Sequence, residues 1–230
     1  MGGSALTDNA STQARPILYT CAQSRGLRAT WAAEEAGVEI DLRVLPFPPR
    51  HLAPEYLEIN PLGTVPLLID GDARLTESCA IAHYLATRNG YTDLAIAPGE
   101  TDYAQYCDFT YHADATITFP QTVYMRFAIF EKEKGLEPAG QAYARWFHKR
   151  LVKIEQRLES REYLCAERFT AADICIAYAL ILARNVGLDD NVPHSLKVYR
   201  ERMTARPAYL RAFQREDEQR KMLENERQAT

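Results

Sequence analysis

Strand-forming sequence stops after Leu75 in this 230-residue chain, and that boundary divides it into two kinds of architecture. Before it, short β-rich runs alternate with amphipathic ones. PILYT is apolar and β-rich, which predicts a short buried strand. SRGLRATWAAEEAG places Leu27, Trp31 and Ala32 at helical spacing and ends on Gly37, a helix stop. VEIDLRVL alternates apolar and polar residues and predicts a second strand, so strand, helix and strand make a βαβ unit. After the proline-rich loop PFPPRH, APEYLEIN predicts a short helix ending at Asn60. VPLLID, the turn GD and ARL predict a hairpin, and TESCAIAHYLATRNG a helix with Thr76 at its cap and Asn89-Gly90 at its end. The order is βαβαββα.

YTDLAIAPGE has the composition of a linker, and only helical patterning follows it. Residues 100–134 predict one long or broken helical stretch, interrupted near Pro120, and residues 138–159 another helix. FTAADICIAYALILARNVG is apolar around its whole circumference, which predicts burial on all sides. Two further helices are divided by Pro207, and REDEQRKMLENERQAT reads as a solvated charged helix or tail. The expected organisation is a disordered leader at 1–15, an α/β domain at 16–90, a linker at 91–99 and an all-helical domain at 100–230.

With 47% hydrophobic residues the chain has ample material for such a core. Its net charge of −4 lacks the concentrated basic face that nucleic acid requires. No apolar run approaches the roughly 18 residues needed to span a bilayer, so no membrane partner is expected. The leader MGGSALTDNASTQAR lacks the apolar stretch of a secretory signal. Five cysteines (Cys21, Cys79, Cys107, Cys165 and Cys175) form no CxxC and no metal-ligand spacing. They read as reduced thiols of a cytoplasmic protein, and no metal is expected.

Three motifs carry possible chemistry. In NPLGTVP, a cis bond between Val65 and Pro66 would aim the Val65 backbone at an extended peptide; a plain trans proline opening a strand is the alternative. In LTESCAI, Glu77 and Ser78 stand at a helix N-terminus, where free N–H groups and the dipole favour an anion; a simple cap is the alternative. FTAADI is a capping box, with Thr170 at the cap and Asp173 three residues on. Its role is structural.

Taken in order, the βαβαββα domain, NPLGTVP, TESCAI, the linker and FTAADI resemble the cytosolic glutathione transferases, most closely the serine-type, theta-like members. The resemblance covers roughly residues 16–215. It implies a thioredoxin-like first domain, an all-helical second domain, a cis bond before Pro66, glutathione as co-substrate and a homodimer. Glu77 and Ser78 match the pair that holds the γ-glutamyl end, and Val65 matches the residue whose backbone pairs with the cysteinyl part. HLAPEYLEINPLGTVP aligns His51 with a histidine beside the glycine carboxylate. A lysine common in relatives is absent, with Leu52 and Thr64 in this chain, and Arg50 is the candidate substitute.

Activation of the thiol is assigned within ILYTCAQSRGLR. A glutathione thiol has a pKa near 8.5, and a hydroxyl donor at a helix N-terminus can lower it. Ser24 at the start of the first helix matches the family's serine, Tyr19 at the strand end matches the tyrosine of other classes, and Cys21 lies between them. Arg25 and Arg28 are electrostatic helpers or solvated helix charges. An apolar acceptor pocket is expected from the aromatic residues of the first long helix, with Tyr111, His112 and Phe119 as candidates. The expected function is transfer of glutathione to an apolar electrophile. The alternatives are a non-catalytic glutathione or hydrophobic-ligand binding protein and a glutathione-dependent thiol reductase or lyase using Cys21.

Overall fold

The computed structural model describes residues 14–90 and 92–228. Most of the expected leader, residues 1–13, therefore lies outside the described residues. Strands β1 (Ile17–Thr20), β2 (Asp41–Val44), β3 (Leu67–Asp70) and β4 (Ala73–Leu75) form one sheet in the order β2-β1-β3-β4. β1 pairs parallel with β2, with Leu18 opposite Leu42, and antiparallel with β3, with Leu18 opposite Leu68. β3 and β4 form the hairpin, turning at Gly71 with φ of 57°. The parallel pair needs a crossover, which α1 (Leu27–Ala36) provides. Gly37, with φ of 63°, ends that helix in the left-handed conformation and returns its N–H to the Ala33 carbonyl.

Two short helices, α2 (Pro49–Leu52) and α3 (Tyr56–Ile59), fill the loop between β2 and β3, and α4 (Ser78–Thr87) follows β4. The residue preceding α4 is Glu77, with extended backbone, so the helix starts at Ser78 and Thr76 does not cap it. The described part of the first half is thus βαβααββα, the expected order with one added short helix, α2, where a proline-rich loop was expected; its fold is thioredoxin-like, followed by a helical domain.

The helical half opens with a continuous rod from Tyr103 to Phe130. It runs as α5 (Tyr103–His112), a wide π-helical turn (Ala113–Thr118), α6 (Phe119–Tyr124) and a second π-helical turn (Met125–Phe130). Pro120 cannot donate a backbone hydrogen bond, and the widened turn before it absorbs that loss without breaking the rod. The helix expected over 138–159 is split at Leu151 into α7 (Glu137–Arg150) and α8 (Val152–Leu158). α9 (Ala171–Asn185) is buried without interruption from Ala171 to Ala183, as its apolar circumference requires. Its capping box is formed: Asp173 accepts the Thr170 N–H at 2.9 Å, and it also accepts the Leu164 N–H and the Tyr199 hydroxyl.

α10 (His194–Thr204) and α11 (Pro207–Gln228) complete the chain. The reading of the C-terminal segment as solvated fails for its first half. α11 packs on α1, with Arg211 and Arg215 both paired to Glu34 and Glu216 buried. Gln219 also accepts the Val44 N–H and donates to the Leu42 carbonyl, pairing with the free edge of β2. Trp31 on α1 packs against Phe169 and Tyr209, so a single core runs through both halves.

One buried ion pair staples the sheet to α4. Asp70 accepts from both Arg88 and the Tyr84 hydroxyl, and its side chain is 3% exposed. Hydrogen bonds from Arg88 hold its carboxyl below the ordinary range. The unfolded chain therefore binds more protons in acid, and this stabilisation is present above about pH 4 and lost as pH falls through the lowered native value. Asp70→Asn should destabilise the protein by about 2 kcal/mol at pH 7, because it leaves the Arg88 charge uncompensated, and by less at pH 3. Denaturant unfolding at both pH values measures the difference.

Candidate functional site

The first turn of α1 sits directly on the end of β1. A Cβ on Gly26 would lie 1.8 Å from the Thr20 Oγ1 and 3.5 Å from Pro66, so only glycine permits this approach. The approach fixes Ser24, whose Oγ accepts the Gly26 N–H at 3.2 Å and lies 3.3 Å from the Thr20 hydroxyl. The helix begins at Leu27, so Ser24 stands in the turn before it. The N-terminus of α1 reaches the serine through the Gly26 amide. With its oxygen accepting that amide, the Ser24 hydroxyl is polarised to donate its proton.

Opposite Ser24, the loop from Asn60 to Pro66 is shaped by two polar side chains. The Tyr56 hydroxyl and the Asn60 amide both donate to the Thr64 carbonyl at 2.8 Å. The Val65–Pro66 bond is cis, as is Phe47–Pro48. Val65 lies just past the last β1–β3 pair, Tyr19 opposite Leu67. At the start of α4, Ser78 is buried and accepts from Arg28 at 2.9 Å, while Glu77 is exposed.

These elements border one cleft of about 1090 Å³ between the two halves. Ser24, Arg50, His51, Thr64, Val65, Pro66, Glu77 and Ser78 all line it. Arg50 and His51, exposed on α2, stand at the same rim as Gly63. The opposite wall comes from Thr122, Met125, Arg126 and Phe130 of the long rod and from Tyr178 and Leu182 of α9. Phe47 and Phe130, one from each half, bring their rings to 6.4 Å at the opening.

Three expectations are corrected. Tyr19 does not line the cleft. Its ring packs 5.5 Å from Tyr56 in a separate small cluster, and its hydroxyl accepts from Arg43 at 3.0 Å. Tyr111, His112 and Phe119 are also elsewhere: Tyr111 is 75% exposed, Phe119 packs against Tyr143, and His112 sits against Phe109. The rod turns a different stripe to the first domain. Asp114, Thr118 and Thr122, at four-residue spacing, meet Arg28 and Arg25, and Met125 and Arg126 continue that face into the cleft. That polar stripe within an aromatic segment was the available sequence signal for the second wall. Arg25 and Arg28 are not solvated charges: Arg25 bonds Thr122 and Asp114 across the domains, and Arg28 is wholly buried.

Cys21 is unsuited to nucleophilic chemistry. It is 1% exposed, its Sγ points to the Pro46 carbonyl at 3.7 Å, and burial, with a contribution from nearby Glu216, pushes its thiol up to about 12. At neutral pH it is a thiol. Among the described residues, no cluster of His, Cys, Asp or Glu is arranged to hold a metal ion.

A thioredoxin-like sheet domain facing a helical domain across such a cleft is the two-domain architecture of the glutathione transferases, and comparison with known proteins agrees. Residues 21–88 match the family model "Glutathione S-transferase, N-terminal domain". Glutathione S-transferase 3 of Schizosaccharomyces pombe is 23% identical over 208 residues, 84% of each chain. BphK, described as a bacterial GST and solved as a ternary complex, is 26% identical with a TM-score of 0.75, over 87% of this chain and 99% of its own. The glutathione transferase URE2P6 of Phanerochaete chrysosporium, solved with oxidized glutathione, is 24% identical with the same TM-score, over 89% of this chain and 97% of its own. The family model over the first domain, the curated relative and the structural neighbours all indicate a member of the glutathione S-transferase family.

The buried state of Cys21 is directly measurable. Alkylation of Cys21 in the native protein at pH 7, followed by mass spectrometry, should be at least about 100-fold slower than that of a free cysteine peptide.

Proposed function

We propose that the chain is a glutathione transferase that holds glutathione in this cleft and uses Ser24 to keep its sulfur as the thiolate. The observation that carries the reading is the Ser24 hydroxyl, which lines the cleft and accepts the Gly26 N–H at 3.2 Å. Glutathione is an extended tripeptide with anionic ends. Ser78, beside the buried Arg28 charge, suits the γ-glutamyl carboxylate, and Glu77 suits the ammonium. The Val65 backbone suits the cysteinyl peptide group, and Arg50 and His51 suit the glycine carboxylate. This places the thiol toward Ser24. Lowering its pKa by two units stabilises the thiolate by roughly 2.7 kcal/mol and makes it the dominant form at neutral pH.

The electrophile then lies against Met125, Phe130, Leu182 and Phe47. The sulfur lone pair forms a bond to its electrophilic carbon as the leaving group departs or the π electrons shift away, and proximity supplies much of the rate. An apolar or aromatic electrophile fits that wall. The buried thiol of Cys21 argues against the thiol reductase or lyase alternative. A homodimer fits the aromatic group of exposed Phe119 and Trp146 with half-buried Tyr143 on the helical half, and a cytoplasmic setting fits the five free cysteines. Among the described residues no helix is long and apolar enough to cross a membrane.

Losing a hydrogen bond to a charged sulfur is worth about 1.5–3 kcal/mol, so Ser24→Ala should reduce kcat/KM for a chromogenic aryl electrophile by roughly 10- to 100-fold. Tyr19→Phe should leave it nearly unchanged. A spectroscopic titration of bound glutathione should show the thiol pKa returning toward 8.5 in Ser24→Ala. Tight glutathione binding by the wild type with an unshifted thiol would favour the non-catalytic binding protein instead.

A further inference from the structure

The turn that carries Ser24 has an unusual backbone. Gln23, the residue just before it, has φ of 60°, a left-handed conformation that L residues other than asparagine and aspartate seldom adopt. Both of its backbone polar groups are held by the helical half. Its N–H donates to the Glu216 Oε2 at 3.0 Å, and its carbonyl accepts the Tyr178 hydroxyl at 3.3 Å. The other oxygen of Glu216, Oε1, accepts the Thr30 hydroxyl at 2.7 Å. One carboxyl group therefore spans from the turn before α1 to the first turn of α1, bracketing Gly26, whose amide holds Ser24.

Glu216 is 1% exposed, burial pushes its carboxyl up to about 7, and it makes no ion pair among the described residues. An acid buried in this way is costly, and its two hydrogen bonds are its only described compensation. A carboxylate placed there for packing alone would be better replaced by an apolar side chain.

We propose that Glu216, on the C-terminal helix, is a positioning residue for the nucleophile turn: its carboxylate pins the Gln23 amide and the Thr30 hydroxyl so that Ser24 presents its hydroxyl to the cleft. The inference rests on Ser24 being the thiol-activating hydroxyl. Glu216 itself does not line the cleft and touches no substrate. Its effect therefore falls on the reactivity of bound glutathione and not on its capture, which uses Glu77, Ser78 and Val65.

The test compares Glu216→Leu, which fills the volume without an acceptor, with Glu216→Gln, which keeps an oxygen for the Gln23 N–H and an amide for Thr30. Two readouts are used: hydrogen exchange of the Gln23 amide, and steady-state transfer to an aryl electrophile. In Glu216→Leu the exchange should quicken and kcat should fall, each by about tenfold or more, with KM for glutathione changed less than about threefold. Glu216→Gln should recover most of both. Wild-type exchange or wild-type kcat in a folded Glu216→Leu would overturn the proposal, as would equal losses in the two variants. Should Glu216→Leu not fold, Thr30→Val removes one of the two anchors. A lowered kcat with KM for glutathione held then supports the proposal, and an unchanged kcat overturns it. If the wild type transfers glutathione to no electrophile, the transferase reading fails, while the exchange measurement still decides whether Glu216 holds the turn.

Discussion

A guanidinium sealed from solvent has to be surrounded by acceptors, and Arg28 is such a group. Its Nε donates to the Cys175 carbonyl at 3.2 Å, and its terminal nitrogens donate to Ser78, Asp114 and Thr118 at 2.7–3.0 Å. The face of Tyr178 lies 4.6 Å from its centre. Arginine cannot neutralise itself by losing its proton, so each acceptor must stay in place for the fold to persist. Ser78 belongs to the first domain; Asp114, Thr118 and Cys175 belong to the second. The domains meet at a fixed charge, and the cleft between them takes its shape from that requirement.

The same charge gives the cleft its polarity. It stands directly behind the Ser78 hydroxyl, so a carboxylate docked there meets a donor backed by a buried cation. Asp114 offsets part of that charge on the side of the helical domain and also takes Arg25, which reaches across to Thr122. The cleft is thus polar along the first-domain edge and apolar along Met125, Phe130 and Leu182, a division that suits a ligand with a charged and an apolar part.

The first-domain side of this arrangement was legible in the sequence once the ordered set of motifs decided between readings that each local signal left open. A strand end, a glycine-proline loop and a helix N-terminus each place their residues relative to their own backbone. Ser24, Val65, Pro66, Glu77 and Ser78 reach one cleft because β1, β3 and α4 bring their ends to the same edge. The second wall was not legible from aromatic content, since Tyr111 and Phe119 are exposed outside the cleft that Thr122 and Met125 line. Helical phase through a π turn cannot be read from composition, and the widened turn before Pro120 alters it. Tyr19 was ambiguous for the complementary reason. A strand residue faces one side of the sheet or the other, and one step in register decides which; here Arg43 and Tyr56 claim the phenol.

The C-terminal helix shows how far a charged sequence can mislead. Its charges are sorted around the helix: Arg211 and Arg215 meet Glu34, Gln219 pairs with the edge of β2, and Glu216 enters the core between them. Hydropathy averages these roles into a solvated surface. Because α11 and α9 hold both polar groups of the Gln23 backbone, the turn that carries Ser24 is a shared structure of the two domains. A thioredoxin-like domain on its own would keep the strand end and the first helix, but it would lack Glu216 and the Tyr178 hydroxyl that fix Gln23 in its left-handed conformation. The helical domain therefore does more than wall one side of the cleft: it shapes the edge of the first domain that carries Ser24.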